Sequence, residues 1–445
     1  MRDLRTGGAG VKEIFDQPAP PAEAALDQLA GLVDPYVGII RYLAEESDYA
    51  PDEPGFVLWR SELAPTSPLS DGGYRRVSTA GGRGLTATEA RIGAVFEALE
   101  RYCLSIYRRA DLTVTTHRAL VAAGADTLDP VELAGAPTRP HLRDCPLSWT
   151  TATSVLTGEP VRVPAQLVYL PYAFPDGEPV LRDPLTTGAA GGLGAGFAVR
   201  NGLLEVVERD AVMLLHYRRL RPPVLAPGVF AGTDVSWLLA EMRRYGLGCT
   251  LFHVDTGLPA HVVVCRVDDA TGVGPAQSVG SKAAASMVDA ARGAILEAAL
   301  LRRALRLRAA KVRAVAEHYL ADLSSIDCLQ ARSHTWAQPE MTSHLDYLTA
   351  AGAEVIQHAG EVPDQWRGDL ALVEAAAAVG GDVLVTDVTT PEVDALGVCV
   401  VKVVVPGLQP MHLSEQYPSW MRRLLTFGGR TVAPSGLTSA PHPFL

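Results

Sequence analysis

Apolar residues recur with helical spacing in three long stretches of the chain. Residues 88–108 place an apolar stripe along one side of a helix, and Thr86 or Thr88 can cap its N-terminus. Residues 198–219 and 287–311 show the same spacing. The pattern therefore predicts three long helices, each of which packs one face against a core.

Short runs of apolar and β-branched residues predict the strands. FVLWRSEL (56–63) and HVVVCRVDD (261–269) have the length of a strand, and residues 147–172 indicate two strands with a turn at Gly158. The late segments VLVTDVTTPEV and VCVVKVVVPGLQP predict two more strands, the second of which is apolar enough to be buried on both faces. Because helices and strands alternate irregularly, the pattern favours a mixed α/β fold.

The composition narrows the class of protein. The chain has 445 residues, 48% of them hydrophobic, and a formal net charge of −11, which argues against general nucleic-acid binding. The N-terminus lacks the apolar core of a signal peptide, and no apolar run has the length of a membrane-spanning helix. The six cysteines are scattered without a Cys-x-x-Cys pair, which indicates reduced, mostly buried thiols. We therefore expect a cytoplasmic protein.

Prolines and glycines mark the predicted boundaries between segments of the chain. Residues 1–60 are interpreted as an N-terminal extension that contains one helical stretch, AEAALDQLAGLV. Residues 61–445 are interpreted as a single domain. Its last residues, 436–445, form a tail that is too rich in proline for a regular helix or strand.

Two of the predicted helices carry the same short pattern, Glu-x-x-Glu-Arg. Glu97 and Glu100 share one flank of the apolar stripe in the first helix, and Glu205 and Glu208 do so in the second. The third helix carries a single acid, Glu297, in an otherwise apolar and basic run. The sequence thus predicts a pair of acidic side chains at the border between buried and open surface on each of the first two helices, and a single acid on the third.

These acids have two interpretations. Solvated helix surface is the ordinary interpretation of either pair taken alone. The recurrence favours a second one, because carboxylates that converge in a partly buried place need a cation to stay ionised. Mg2+ prefers oxygen ligands and often bridges to substrate phosphates. We therefore predict a cradle for magnesium and a nucleotide.

Five stretches of the sequence resemble motifs of the YcaO family. GRGLTATEARIGAVFEALERY is similar to its first hallmark motif, GLGAGFAVRNGLLEVVERDA to its second, and RGAILEAALLRR to its third. DVTTPEVDALGVCVVKVVVPGLQP resembles the family's late strand and its Val-Pro-Gly-Leu-x-Pro signature. APHPFL resembles the Pro-rich C-terminus of the azoline-forming members. The resemblance begins near residue 75 and continues to the end of the chain in the family's order.

The resemblance implies an ATP-dependent enzyme that acts on backbone amides of a ribosomal precursor peptide. Typical members are cyclodehydratases, in which a Cys, Ser or Thr side chain attacks the preceding carbonyl and ATP phosphorylates the oxygen of the adduct. Loss of phosphate then gives a thiazoline or an oxazoline. The resemblance also implies mixed and antiparallel sheets packed with long helices around a central nucleotide site.

Three sets of site residues follow from the resemblance. The acids expected to bind Mg2+, and through it the triphosphate of ATP, are Glu97, Glu100, Glu205, Glu208 and Glu297. The residues expected to contact the nucleotide are Arg83, Arg101, Arg209 and Arg292. The residues expected near the reacting peptide, as the terminal residues are in azoline-forming members, are Pro441, Pro443 and Leu445.

The resemblance also implies partners. The substrate is a precursor peptide. Because there is little chain before residue 75 for the additional domains of fused versions, a separate E1-like (ThiF-like) protein is expected to bind the leader peptide. A flavin dehydrogenase is expected as a further partner, and the chain is expected to form a homodimer. Neither nucleic acid nor a membrane is expected as a partner.

The sequence departs from the family pattern at several polar positions. Arg83 replaces the usual lysine between two glycines, Gly93 replaces a serine, and Gly191 replaces an asparagine. In the third motif the usual arginine and glutamine are Gly293 and Leu300. These departures leave open a catalytically weakened or silent YcaO paralogue that serves as a scaffold or peptide-binding subunit. A member that forms a thioamide or an amidine is a further alternative.

Three further features have ordinary structural interpretations. The basic run RRALRLRAAKVR (302–313) is typical of a solvated helix face, with a dock for acidic leader residues or phosphates as the alternative. Cys103 is expected to be a core thiol. His442 is expected to be an exposed residue of the tail.

Overall fold

The computed structural model of the chain describes residues 15, 26 and 29–444, apart from 48, 52, 77 and 351. Its strands, in chain order, are β1 Ile40–Glu45, β2 Val57–Leu63, β3 Ser78–Gly84, β4 Thr113–Thr116, β5 Pro146–Ser154, β6 Pro160–Pro164, β7 Ala189–Gly192, β8 Val224–Leu225, β9 Leu247–His253, β10 His261–Asp269, β11 Gln277–Ala284, β12 Val355–Ile356, β13 Leu384–Asp387 and β14 Cys399–Val404. The α-helices are α1 Ala87–Leu104, α2 His117–Ala122, α3 Pro130–Ala134, α4 Ala195–Tyr217, α5 Asp234–Arg244, α6 Met287–Arg306, α7 Ala309–Ala321, α8 Leu329–Trp336, α9 Asp369–Gly380, α10 Pro391–Asp394 and α11 Arg422–Thr426.

Contacts group the chain into two compact units. The first unit comprises Met1–Asp48, Phe56–Val206 and Asp369–Leu408. The second comprises Tyr49–Gly55, Val207–Gly368 and Gln409–Leu445. Strand β2 includes residues on both sides of the predicted boundary at residue 60.

The first unit contains two antiparallel sheets. Strands β1, β2 and β3 form the smaller sheet in that order. The larger has the order β4-β5-β13-β14-β7, with β6 paired to β5. Every residue of β14 is buried, as its nearly uniform run of apolar residues predicts, and Lys402 is buried among them. The turn between β5 and β6 contains Gly158, whose φ of 75° is one that glycine adopts readily.

Helix α1 packs closely on the small sheet. Thr86 and Glu89 form a capping box at its N-terminus, which confirms one of the two predicted caps. A Cβ built at Gly82 of β3 would lie 1.8 Å from Ala90 O and 2.3 Å from Ala94 N. Only a residue without a side chain can therefore occupy this position while the helix keeps its place.

We expect Gly82→Ala to destabilise the protein by about 3 kcal/mol, because the added methyl group must push α1 away from β3. The neighbouring change Gly81→Ala is a matched control. A Cβ at Gly81 meets its nearest atom, Trp59 O, only at 3.7 Å. Urea unfolding of both variants checks this prediction, and equal midpoints would contradict it.

The second unit has one five-stranded sheet with the order β11-β10-β9-β8-β12. Its strands pair antiparallel except β8 and β12, which are parallel. Helix α6 follows β11, and the Ser286 side chain caps it by accepting the Asp289 N–H. The unit thus repeats a construction of the first, in which an antiparallel hairpin leads into a helix capped by a hydroxyl group.

The predicted helix over 287–311 is wrong in its extent. Helix α6 ends at Arg306, and α7 begins as a separate helix at Ala309. Arg308 between them has φ −124° and ψ 19°, which lies outside the helical range. The other two predicted helices correspond to α1 and α4, which begin and end within four residues of the predicted limits.

The mixed α/β class predicted from the sequence is confirmed, with antiparallel and mixed sheets packed with helices. Most of the predicted helical stretch AEAALDQLAGLV lies outside the described residues. The described part ends in a short 3-10 helix, Ala30–Leu32. Among the helices that the structure describes, none is long and apolar enough to cross a membrane.

Candidate active site

Glu97 is held by the hairpin that precedes its own helix. Its Oε2 accepts the Gly81 N–H of β3 at 3.0 Å. Its Oε1 accepts the Arg101 Nη2–H at 2.7 Å and the Nε–H at 3.1 Å. The side chain of Glu97 is 36% exposed and that of Arg101 is 32% exposed. The backbone of β3 thus orients a carboxylate that remains open to solvent.

Glu100 reaches a different sheet of the same unit. Its Oε1 accepts the Gly191 N–H of β7 at 2.7 Å. A Cβ at Gly191 would lie 2.9 Å from Phe96 Cδ1, so a side chain there would have to displace the Phe96 ring. Gly191, one of the departures from the family pattern, therefore allows the strand to approach α1 and to donate to Glu100.

Glu205 of α4 is oriented from the same stretch of chain as Glu100. Its Oε2 accepts the Gly188 N–H at 3.0 Å, and Gly188 directly precedes β7. Gly188 has φ 83°, and a Cβ there would lie 2.2 Å from Val403 O. The two carboxylates are therefore directed to backbone donors that lie three residues apart along the chain.

Lys402 of β14 holds the backbone that leads to Gly188. Its Nζ donates to Leu185 O at 2.5 Å and to Thr187 O at 2.6 Å. Burial lowers the pKa of Lys402 to about 7, while the nearby charge of Glu205 acts in the opposite direction. Lys402 is therefore a positioning residue for the Gly188 N–H, and through it for Glu205.

In the second unit, Ser281 of β11 brings two acids together. Its N–H donates to Glu297 Oε2 at 3.2 Å, and its hydroxyl donates to Glu208 Oε1 at 2.6 Å. Glu208 Oε2 also accepts the Ala283 N–H at 3.0 Å. Glu208 is only 2% exposed, and these two donors satisfy both of its oxygens.

All five predicted acids therefore accept a hydrogen bond from a backbone N–H, with Glu97, Glu100 and Glu205 in the first unit and Glu208 and Glu297 in the second. Carboxylate oxygens are the ligands that Mg2+ prefers, so the acids of each unit are chemically suited to magnesium. In the part of the chain that the structure describes, no group of three or more His, Cys, Asp or Glu side chains is arranged to hold a metal ion.

The predicted nucleotide-contact arginines have different surroundings. Arg83 is half-buried on β3. Arg101 pairs with Glu97, and Arg209 Nη1 lies 3.6 Å from Glu208 Oε1. Arg292 pairs instead with two aspartates, Asp234 at 2.6 Å and Asp289 at 3.0 Å. Arg101 and Arg209 thus accompany predicted acids, whereas Arg292 is engaged by acids outside the predicted set.

The tail is buried within the second unit. Pro441, His442 and Pro443 are all buried, and Pro443 lines a small cavity together with residues of β11 and α6. The expectation that His442 is exposed is wrong, because its exposed fraction is 0%. His442 Nε2 lies 2.9 Å from His412 O, so the ring is held by the backbone. Leu445 lies outside the described residues.

Buried histidines make the second unit sensitive to acid. Burial lowers the pKa of His216 to about 4, and burial together with the charge of Arg332 lowers the pKa of His442. The unfolded chain then binds protons first, so stability is full above pH 6.5 and is lost as the pH falls toward 4. For His216 this corresponds to about 3 kcal/mol.

We therefore expect His216→Gln to lose less stability than the wild type between pH 7 and pH 5, since glutamine does not titrate there. His318→Gln, at an exposed position of α7, is the control and should keep the wild-type profile. Thermal unfolding midpoints measured across this pH range check the expectation. A profile for His216→Gln parallel to that of the wild type would refute it.

Comparison with known proteins gives a consistent family match. Residues 81–409 match the family model described as YcaO cyclodehydratase, ATP- and Mg2+-binding. An uncharacterized protein of Methanothermobacter thermautotrophicus is 30% identical over 364 residues, which cover 80% of this chain and 87% of the relative. A protein from the tfuA 3′ region of Rhizobium leguminosarum bv. trifolii is 27% identical over 270 residues, which cover 59% of this chain and 60% of the relative.

Solved structures share the fold. A heterocyclase in complex with substrate and cofactor has a TM-score of 0.74 at 19% identity, and the match covers 97% of this chain and 60% of the heterocyclase. YcaO from Methanopyrus kandleri, bound with AMPPCP and Mg2+, has a TM-score of 0.65 at 20% identity, with 92% and 97% covered. The microcin synthetase McbBCD complex of E. coli includes a chain with a TM-score of 0.61 at 15% identity, with 88% and 95% covered.

Two lysines, Lys402 and Lys282, lie beside the predicted acids and are absent from the residues predicted from the sequence. Each had a visible signal, because the chain has only four lysines. Lys402 interrupts an otherwise apolar strand, and Lys282 separates the two backbone donors to Glu208 and Glu297. A charged residue inside a predicted strand would have identified Lys402, whereas Lys282 lies in β11, for which the apolar pattern predicts no strand.

Proposed function

This chain belongs to the YcaO family, and from that premise we propose that it is an ATP-dependent cyclodehydratase of a ribosomal precursor peptide. In the proposed reaction, the side chain of a Cys, Ser or Thr attacks the preceding backbone carbonyl. The carbonyl C–O bond then breaks, the peptide loses this oxygen with the protons of the attacking group and of the amide nitrogen, a net loss of one water, and a thiazoline or an oxazoline remains. The observation that carries the proposal is the backbone N–H donor that each of the five acids has.

The chain's own residues would orient the reactants. Backbone N–H groups set the directions of the five carboxylates before any ligand binds, which lowers the cost of assembling a charged site. When bound, MgATP would supply the phosphoryl group that turns a poor leaving group, the amide oxygen, into a good one. The acids that would hold its magnesium are Glu97, Glu100, Glu205, Glu208 and Glu297.

The remaining predicted residues have supporting roles in this proposal. Arg83, Arg101, Arg209 and Arg292 would offset phosphate charge, and Pro441, Pro443 and Leu445 would lie near the reacting peptide. A separate ThiF-like protein would bind the leader peptide, a flavin dehydrogenase would act on the rings, and the chain would work in the cytoplasm. The likeness to a heterocyclase with bound substrate and to a synthetase complex supports a peptide substrate and protein partners.

A catalytically silent subunit is the second candidate. It is favoured by positions where the family pattern has polar side chains and this chain has none. A Cβ at Gly191 would meet Phe96 Cδ1 at 2.9 Å, and a Cβ at Gly293 would meet Lys282 Cγ at 2.6 Å. The space that the usual asparagine and arginine would need is thus occupied by other side chains.

One experiment separates the candidates. The purified chain is incubated with its partner, a Cys- and Ser-rich precursor peptide and MgATP, and the peptide mass is measured together with nucleotide binding by calorimetry. Loss of one water for each ring supports the cyclodehydratase. A gain in mass from exchange of oxygen for sulfur would replace it with thioamide formation. Absence of saturable MgATP binding by the folded complex would favour the silent subunit.

A further inference from the structure

Lys282 lies between the backbone groups that hold two of the predicted acids. It is a half-buried residue of β11, and its neighbours along the strand are Ser281 and Ala283. The Ser281 N–H donates to Glu297, and the Ala283 N–H donates to Glu208. The lysine is therefore fixed by the same short segment that orients both carboxylates.

The side chain of Lys282 runs over helix α6. Successive side chains of a strand point to opposite faces, so Lys282 lies on the face opposite to Ser281, whose hydroxyl contacts Glu208. A Cβ built at Gly293 of α6 would lie 2.6 Å from Cγ and 2.9 Å from Cβ of Lys282. The absence of a side chain at Gly293 is what gives the lysine stem its place.

This contact places the lysine close to Glu297 along the helix. Gly293 precedes Glu297 by four residues, which is about 6 Å along an α-helix. The stem contains further rotatable bonds beyond Cγ, so the ammonium group can reach a ligand next to Glu297. A cation and two acids thus border the same stretch of strand and helix.

Among the residues that the structure describes, the ammonium group of Lys282 forms neither a hydrogen bond nor an ion pair. The adjacent arginine behaves differently, since Arg292 is paired with Asp234 and Asp289. Lysine is a compact point charge that commonly binds phosphate. A half-buried lysine without an acidic partner, beside acids suited to Mg2+, has the chemistry of a contact to an anion that the metal bridges.

We propose that Lys282 binds a phosphate group of the nucleotide whose magnesium is held by Glu208 and Glu297. This inference rests on the proposed function, because it needs a nucleotide at these acids. It adds Lys282 of β11 to the predicted nucleotide contacts, which otherwise include only arginines. It also gives a reason for glycine at position 293, because the absence of a side chain there leaves space for Lys282 of β11.

The test compares binding of AMPPCP with Mg2+ by calorimetry in Lys282→Met, Lys282→Gln, Lys282→Arg and the wild type. Lys311→Met, at an exposed position of α7, is the matched control and should bind like the wild type. Both neutral variants should bind about 10- to 100-fold more weakly, and Lys282→Arg should recover most of the affinity because it keeps the charge. Added KCl should weaken binding more in the wild type than in the neutral variants.

The outcomes separate this inference from the proposed function. If the wild type binds and either folded neutral variant binds equally well with the same dependence on KCl, the role of Lys282 is overturned and the proposed function stands. If the folded wild type binds no AMPPCP with Mg2+ even with its partner present, the proposed function fails and the role of Lys282 fails with it. Circular dichroism confirms that each variant is folded.

Discussion

Replacing Glu205 with alanine is expected to reduce ring formation in the precursor peptide by at least about 100-fold while the protein stays folded. Glu205 is half-buried, and its carboxylate is directed by the Gly188 N–H, whose backbone Lys402 holds in turn. Removal of the carboxylate takes away one predicted Mg2+ ligand. Within the protein it removes the acceptor of the Gly188 N–H, a loss of about 1 kcal/mol, together with the negative charge near buried Lys402.

Glu374→Ala is the matched control, because Glu374 is an exposed glutamate on α9 in the same unit. It should leave ring formation unchanged. Mass spectrometry of the peptide and the Mg2+ dependence of nucleotide binding give two independent measures. Undiminished loss of water from the peptide with Glu205→Ala would remove Glu205 from the proposed metal-binding set.

Arg332→Met is expected to destabilise the second unit by about 3–5 kcal/mol, because it breaks a buried ion pair on one side only. The side chain of Arg332 is 0% exposed, and its Nη1 lies 2.6 Å from Glu415 Oε1. It also donates to the carbonyl groups of His412, Leu413 and His442. The methionine would leave the Glu415 carboxylate buried without its cation and would release the tail at His442.

Arg313→Met tests whether this loss is specific to burial. Arg313 likewise forms ion pairs, in its case with Glu317 and Glu340, but its side chain is 46% exposed. We expect this variant to lose less than about 1 kcal/mol, as exposed ion pairs do. Urea unfolding and limited proteolysis near the C-terminus provide the measurements. Similar losses in the two variants would contradict the structural role given to Arg332.

The elements with a strong local pattern could be predicted from the sequence. The apolar stripes of α1 and α4 and the mostly apolar run of β14 depend on residues that are neighbours along the chain. The break at Arg308 could not be predicted in this way, because no proline or glycine marks it and the helical spacing of apolar residues continues past it. The prediction therefore joined α6 to part of α7.

The acids of the candidate site could be predicted from the sequence, but the backbone donors that orient these acids could not. Helical spacing places Glu97 and Glu100 on one flank, but their donors, Gly81 and Gly191, lie 16 and 91 residues away. Such pairings depend on how the strands pack and leave no mark in local spacing. For the same reason the sequence suggested that the basic run 302–313 is solvated, whereas Arg302 is buried and paired with Asp269 at 2.8 Å.

The two hairpin–helix constructions have a consequence for how such a protein can diverge. In one, the N–H of Gly81 holds Glu97, and in the other, the N–H of Ser281 holds Glu297. The main chain offers the same donor whatever residue carries it, so adjacent side chains can mutate while the acid keeps its orientation. The next residues, Gly82 and Lys282, already differ in size and charge. Because α1 leaves no room for a side chain at Gly82, such drift is confined to positions like Lys282, where a new ligand preference can arise without dismantling the carboxylates beside it.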